Sequence, residues 1–299
     1  MNNLHLSRRD FLHKSAALAG TALAGLSLPA ANQKRTAADQ VPLGKTGLRC
    51  SRLGIGTGSN SGEVQRALGR EGFNRLLRYA FDQGITYIDT AESYKNHDWI
   101  RDAIKGLPRE KLFIQTKMGG RPEKPMEVLD RFRKDLGVDY IDSCLLHCMT
   151  TTTWPEDQKR VMDAFLEAQE KQVIRTKGLS CHSLKALGRA SREPWVNINL
   201  VRVNPQAKFI DGQSANWNEP GDDLRPVLAE IREMRRQGHG VIGMKIIGNG
   251  DFVKAEDREK SIRFAMSTPE LDAVVIGFKS ATEIDEAITR MNRALSELG

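Results

Sequence analysis

The chain reads as an α/β protein, a single (β/α)8 barrel with an N-terminal β-hairpin, and three observations predict it. Short apolar runs recur at 52–58, 86–90, 112–117, 143–148, 176–180, 198–204, 240–245 and 273–278. Their length and β-branched content suit buried strands rather than helices. Stretches with apolar residues at i, i+3 and i+4 separate most of them, as in EGFNRLLRYAFDQG and RVMDAFLEAQEKQ. Eight buried strands alternating with helices argue for a closed barrel over an open sheet. About 260 residues follow position 40, the size that one barrel fills as a single domain.

The elements follow in order. VPLGKTGLRC, 41–50, precedes the first apolar run with Gly44 and Gly47 at its turn, so it is expected to form a hairpin closing the barrel bottom. Gly84, Gly137 and Gly238 stand where helix C-caps would fall. The domain plan is therefore an export signal at 1–31, a polar linker at 32–40 and the barrel at 41–299.

Residues 1–31 do not read as part of the fold. SRRDFLHK, with paired Arg8 and Arg9, precedes an apolar Ala/Gly-rich run from Ala16 to Leu28 and small residues near Pro29 to Ala31. This resembles a twin-arginine (Tat) signal peptide, which implies the Tat export machinery as a partner and a periplasmic or secreted location. The run is shorter than the roughly 20 residues of a permanent membrane span, so none is expected.

Composition excludes other classes. Lys and Arg number 45 against 38 Asp and Glu, a net charge of +7, with no basic run or basic-aromatic stripe. Such a balance reads as solvated surface, with no nucleic-acid partner. Four cysteines, Cys50, Cys144, Cys148 and Cys181, are too few and too scattered for a disulfide framework. Cys144 and Cys148 flank His147 without CxxC spacing, so packing accounts for them better than a metal, and no metal site is expected.

The chemistry is concentrated in GITYIDTAESYKNHDWI, 84–100. Asp89 closes a strand and Tyr94 follows five positions later. Lys117 ends the next strand, LFIQTK, and His147 ends the one after, DSCLLH. Each has an ordinary structural reading: a rim ion pair for Asp89 and Lys117, a satisfied core histidine, a half-buried aromatic. On successive strand ends they converge as carboxylate, phenol, ammonium and imidazole, a proton-transfer set that points to an enzyme.

Taken in order, PLGKTGLRCSRLGIGTG, DTAESY, the TK strand end, YIDSCLLH, KGLS, GMKIIGNG and IGFKSATEIDEA resemble the aldo-keto reductase family along the whole chain after the signal. The resemblance implies NAD(P)-dependent hydride transfer between a carbonyl and an alcohol. Tyr94 would be the general acid and base, Asp89 and Lys117 a hydrogen-bonded pair beside it, and His147 the residue that orients the carbonyl. A free phenol titrates near ~10, and the neighbouring ammonium is expected to pull that down.

The resemblance also implies a nucleotide site formed by Gly56, Thr57, Asp89, Ser180, Met244, Lys245, Ile247, Gly248, Gly250, Lys279 and Ser280. Ser180 would face the nicotinamide carboxamide, Met244 its ring, and the Gly248–Gly250 turn with Lys245 the pyrophosphate. The chain departs from the family pattern at Cys181, where asparagine is usual, and at Leu200, where glutamine is usual. Lys279 and Ser280 match positions that hold a 2′-phosphate, while Glu283 lies nearby. The balance favours NADP, with NAD possible.

The substrate is expected to be a small-molecule carbonyl or alcohol. The longest rim loops, 149–157 and 206–223, carry Trp154, Phe209, Asn216 and Trp217, which either form a sugar-stacking platform or pin the loops. Twin-arginine export carries folded proteins, so the expectation is a barrel leaving the cell interior with its nucleotide retained. The alternative is a nucleotide-binding barrel with little catalysis, acting as a sensor or accessory subunit.

Overall fold

The computed structural model describes residues 34–298, and the Tat-like segment lies outside the described residues. Two short strands, β1 (Gln40–Pro42) and β2 (Arg49–Ser51), pair antiparallel as the predicted hairpin. Eight parallel strands follow: β3 (Leu53–Gly56), β4 (Tyr87–Asp89), β5 (Phe113–Met118), β6 (Ile141–Met149), β7 (Ile174–Cys181), β8 (Ile198–Arg202), β9 (Gly240–Met244) and β10 (Ala273–Gly277). They close a barrel in chain order, with β10 pairing to β3. Every predicted apolar run is a strand.

Alternation along each strand divides the core into two layers. Inside, Tyr87, Phe113, Leu145, Ile198, Leu200, Ile242 and Val275 meet Val41, Leu43, Leu48 and Cys50 of the hairpin, which plugs the bottom. Outside, residues such as Ile88, Ile114, Leu146 and Val274 meet the helices. The hairpin seats tightly: a side chain at Gly44 would approach the backbone nitrogen of Gly240 to 2.4 Å, and its φ of 49° also requires glycine. Gly137 and Gly238 are left-handed C-caps of the helices Pro125–Leu136 and Leu224–Gln237. Gly84 lies one residue beyond the C-cap Gln83 of the helix Gly69–Asp82.

The segment 32–40, expected as a linker, is folded from Thr36 onward. The Thr36 backbone N–H and hydroxyl donate to the Asp39 carboxylate at 2.8 and 2.7 Å. Ala37 is fully buried and its N–H donates to Asn292 at 2.8 Å, tying the entry of the barrel to its last helix, Ala281–Glu297. The hydrogen bonds of these polar residues are made within the fold rather than to water, which composition alone does not reveal. No described helix is long and apolar enough to cross a membrane.

Candidate active site

All eight strands point their C-terminal ends at one rim, where strand-end residues converge. Asp89 is the last residue of β4 and Lys117 the fifth of β5, and both are buried. Lys117 Nζ donates to both Asp89 carboxylate oxygens, at 2.9 and 2.7 Å, and to the Thr90 carbonyl at 2.8 Å. Burial alone would push the ammonium's pKa down, but Asp89 and Tyr94 outweigh it and hold Lys117 above its ordinary value.

Tyr94 ends a 3-10 turn, Glu92–Tyr94, that follows β4. Its ring lies edge-on to that of His147, with centroids 5.6 Å apart, and Lys117 Nζ is 5.1 Å from the ring centroid. Sequence reasoning expected the ammonium to bring the phenol's pKa below its usual value. The net direction is the reverse: burial raises it, Lys117 pulls it part of the way back, and Asp89 adds to the rise. Desolvation of a would-be phenolate outweighs one ammonium already neutralised by a carboxylate. His147, on β6, is held neutral, its pKa pushed down to about 3 by burial and by Lys117.

The structure therefore brings Asp89, Tyr94, Lys117 and His147 together. It adds residues that sequence reasoning missed. A Cβ at Gly58 would lie 2.3 Å from the Tyr94 ring and 2.7 Å from its hydroxyl oxygen, so only glycine leaves room for this phenol. Arg66 donates to the Tyr94 carbonyl from the short helix Glu63–Arg66. Gln115, one residue pair before Lys117 on β5, donates to Asp89 at 2.9 Å. Arg202, the last residue of β8, forms a buried pair with Asp211 at 2.7 Å and donates to the His182 carbonyl at 2.8 Å. A glutamine and an arginine inside otherwise apolar runs were the visible signals.

The nucleotide candidates occupy the adjoining part of the rim. Gly56 ends β3, and the Thr57 N–H and hydroxyl both donate to the Asp89 carbonyl at 3.0 Å. Ser180 on β7 accepts from the Cys148 N–H at 2.9 Å, which leaves its own hydroxyl hydrogen free to donate. That contact depends on an irregularity in the β6–β7 register between Leu146 and Met149, where Cys148 has φ 64°. Met244 ends β9 and is half-buried.

After β9 the backbone turns sharply, with positive φ at Lys245, Gly248, Asn249 and Gly250. Ile247 precedes the 3-10 turn Gly248–Gly250. Lys245 Nζ donates to the neutral Asn249 side chain at 2.7 Å, and burial with Arg202 and Lys117 pushes its pKa down to about 8. Positive φ at Cys148, Ala207, Phe209, Lys245 and Asn249 places strained non-glycine backbone in the segments that end or follow β6, β8 and β9, at the reactive rim.

Lys279 and Ser280 follow β10, but part of their capacity is committed. Ser280 is the N-cap of the helix Ala281–Glu297, accepting from the Glu283 N–H at 3.3 Å. The Glu283 carboxylate accepts from the Lys279 N–H at 2.7 Å. This S-x-x-E arrangement is a variant of the capping box in which the carboxylate takes the N–H before the N-cap, so Glu283 has a structural reason to be acidic. The aromatics separate: Trp154 is 1% exposed and packs on Trp195, so it pins its loop, whereas Trp217 is 54% exposed. Phe209 is half-buried beneath the Lys208 ammonium at 5.2 Å.

The donor set suits a dinucleotide: a glycine turn with left-handed backbone for close approach, an ammonium with only a neutral partner for phosphate, and a serine hydroxyl for an amide. Cys181 and Leu200, at the positions where the resemblance implies asparagine and glutamine, are both buried apolar-type side chains.

Residues 52–298 match the family model described as "Aldo/keto reductase family". A Glycine max protein named "Probable aldo-keto reductase 1" is 32% identical over 227 residues, 71% of this chain and 60% of that protein. The Saccharomyces cerevisiae "Glycerol 2-dehydrogenase (NADP(+))" is 31% identical over 135 residues, 44% of this chain and 38% of its own length. The chain thus spans about half the length of these curated relatives, at 60% and 38%. A solved aldo-keto reductase from Bacillus halodurans shares the fold, with a TM-score of 0.65 at 18% identity, covering 87% of this chain and 96% of that one.

Proposed function

Since this chain belongs to the aldo/keto reductase family, we propose that it is an NAD(P)-dependent oxidoreductase interconverting a carbonyl and an alcohol, with Tyr94 as general acid and base. The observation that carries this reading is the buried Asp89–Lys117 pair beside Tyr94 and a neutral His147.

When bound, the nicotinamide cofactor supplies or accepts the hydride. Tyr94 gives its proton to the carbonyl oxygen in reduction and takes it back in oxidation. Burial keeps the phenol protonated, so the acid form is the resting form. Lys117 stabilises the phenolate that remains after proton transfer, and Asp89 holds the lysine in place. His147, a neutral imidazole, orients the carbonyl oxygen by hydrogen bonding without competing as an acid. Lys245 and the Gly248–Gly250 turn would hold the pyrophosphate, Ser180 the carboxamide and Met244 the nicotinamide face. Lys279 supports NADP as the main cofactor, in line with the NADP(+) in the yeast relative's name; Glu283 keeps NAD in play.

Arg8, Arg9 and the apolar run after them support twin-arginine export to the periplasm or beyond, with the nucleotide carried inside the folded barrel. The test is to purify the exported protein, denature it and identify released nucleotide by mass spectrometry, then follow NADPH and NADH consumption with a panel of small carbonyl compounds. Stoichiometric nucleotide and turnover support the proposal. Binding without turnover transfers the protein to a sensor or accessory role, and binding of neither nucleotide at millimolar concentration refutes the oxidoreductase reading.

A further inference from the structure

Gln115 lies in the interior of β5, fully buried beside Lys117. An amide placed there without partners would be strongly unfavourable, because nothing would replace its hydrogen bonds to water. It is not unpaired. Nε2 donates to Asp89 Oδ1 at 2.9 Å and to the Tyr87 hydroxyl at 2.8 Å. Oε1 accepts from the Ser143 hydroxyl on β6 at 2.8 Å. Tyr87 and Ser143 are themselves fully buried. The amide's orientation is dictated by chemistry: a carboxylate oxygen only accepts, so the nitrogen must face Asp89.

Asp89 Oδ1 thus accepts from Lys117 and from Gln115 on the same strand, while Oδ2, among the described residues, accepts from Lys117 alone. A buried ion pair holds its geometry only when the remaining lone pairs are also satisfied. We infer that Gln115 is a positioning residue for the reaction: through its bond to Asp89, and oriented by Ser143 and Tyr87, it fixes the Asp89–Lys117 pair against Tyr94. The inference rests on the oxidoreductase reading for its consequence, though not for its geometry.

Gln115 acts on the proton-transfer step by two routes. It restrains the carboxylate, and hence the lysine, in one place. It also donates to the Asp89 charge, and so blunts the carboxylate's tendency to disfavour a phenolate at Tyr94. Losing the donor therefore makes proton release from Tyr94 harder without touching the nucleotide.

The test is Gln115→Met, which keeps length and volume but removes both donor and acceptor. The expected result is a fall in kcat of about 10- to 100-fold, the worth of one hydrogen bond to a charged group. KM for the nucleotide should stay within about twofold, because ground-state binding is untouched. The alkaline limb of the kcat profile should move to higher pH, and the Tyr94 signal in ¹³Cζ-tyrosine NMR, assigned with Tyr94→Phe, should shift while those of Tyr79 and Tyr140 stay. Wild-type kcat, or a loss matching only the unfolded fraction with the Tyr94 signal in place, overturns the inference. Should Gln115→Met not fold, Ser143→Ala removes the bond that orients the amide, and a smaller change of the same kinds is expected. If the wild-type protein reduces no carbonyl, the proposed function fails, and the Tyr94 signal alone decides the role of Gln115.

Discussion

Lys117 and Asp89 meet through two hydrogen bonds, at 2.9 and 2.7 Å, and the third hydrogen of the ammonium goes to the Thr90 carbonyl at 2.8 Å. These contacts fix the ammonium beside Tyr94. Lys117 acts on Tyr94 first through its charge, with Nζ 5.1 Å from the ring centroid. The pair sets the electrostatic field around the phenol.

Tyr94→Phe keeps the ring and its packing on His147 and removes only the hydroxyl. Carbonyl reduction is expected to fall by about 10²- to 10⁴-fold, the usual contribution of a general acid. Nucleotide affinity, followed by fluorescence titration, should be unchanged.

Lys117→Met leaves Asp89 as a buried charge supported, among the described residues, only by Gln115. Stability is expected to drop by about 3–5 kcal/mol, the cost of breaking a buried pair from one side. The urea midpoint measures it, and the double variant Asp89→Asn with Lys117→Met should recover part of the loss.

Gly58→Ala places a methyl group 2.3 Å from the Tyr94 ring. The phenol must move, so kcat should fall by about 10- to 100-fold through misplacement of the acid. Folding stability should change by only about 1–3 kcal/mol, the range for a modest overpacking.

His97 is buried against the Phe132 ring, with Nε2 2.9 Å from the Thr116 hydroxyl, and burial pushes its pKa down to about 4 from 6.5. The unfolded chain takes up a proton that the folded one resists. The stability from this group is therefore complete above about pH 6.5 and is lost as pH falls toward 4, on the order of 3 kcal/mol. His97→Asn should flatten that part of a stability-versus-pH curve measured by denaturant melts.

Lys279→Ala should weaken NADP binding more than NAD binding, read as the ratio of their Kd values. Glu283→Gln should shift the ratio the other way, toward NADP, by removing a carboxylate beside Lys279. Because Glu283 also accepts from the Lys279 N–H at 2.7 Å, that variant should cost up to about 1 kcal/mol in stability as a lost cap contact.

Much of this was legible in the chain. The eight apolar runs became β3 to β10, because a strand buried on both faces must be apolar nearly throughout. Asp89, Lys117 and His147 could be found because a polar residue at the end of such a run has one place to go, the rim. Ser280 and Glu283 show a limit: the S-x-x-E spacing of a capping box was present, yet the same residues also fit a phosphate reading. Trp154 shows another, since an indole in a rim loop looks the same in sequence whether it faces solvent or, as here, packs on Trp195.

The sequence by itself determined which residues stand at strand ends and in what order they line the rim, because strand period and chain order are local properties. Only the tertiary structure decided the balance at Tyr94, where burial outweighs the lysine. It alone joined Gln115 to Asp89, Tyr87 and Ser143, and made Gly58 the space that Tyr94 fills. Desolvation and close contact depend on residues brought together from different strands and loops, and they exist only once the barrel has closed.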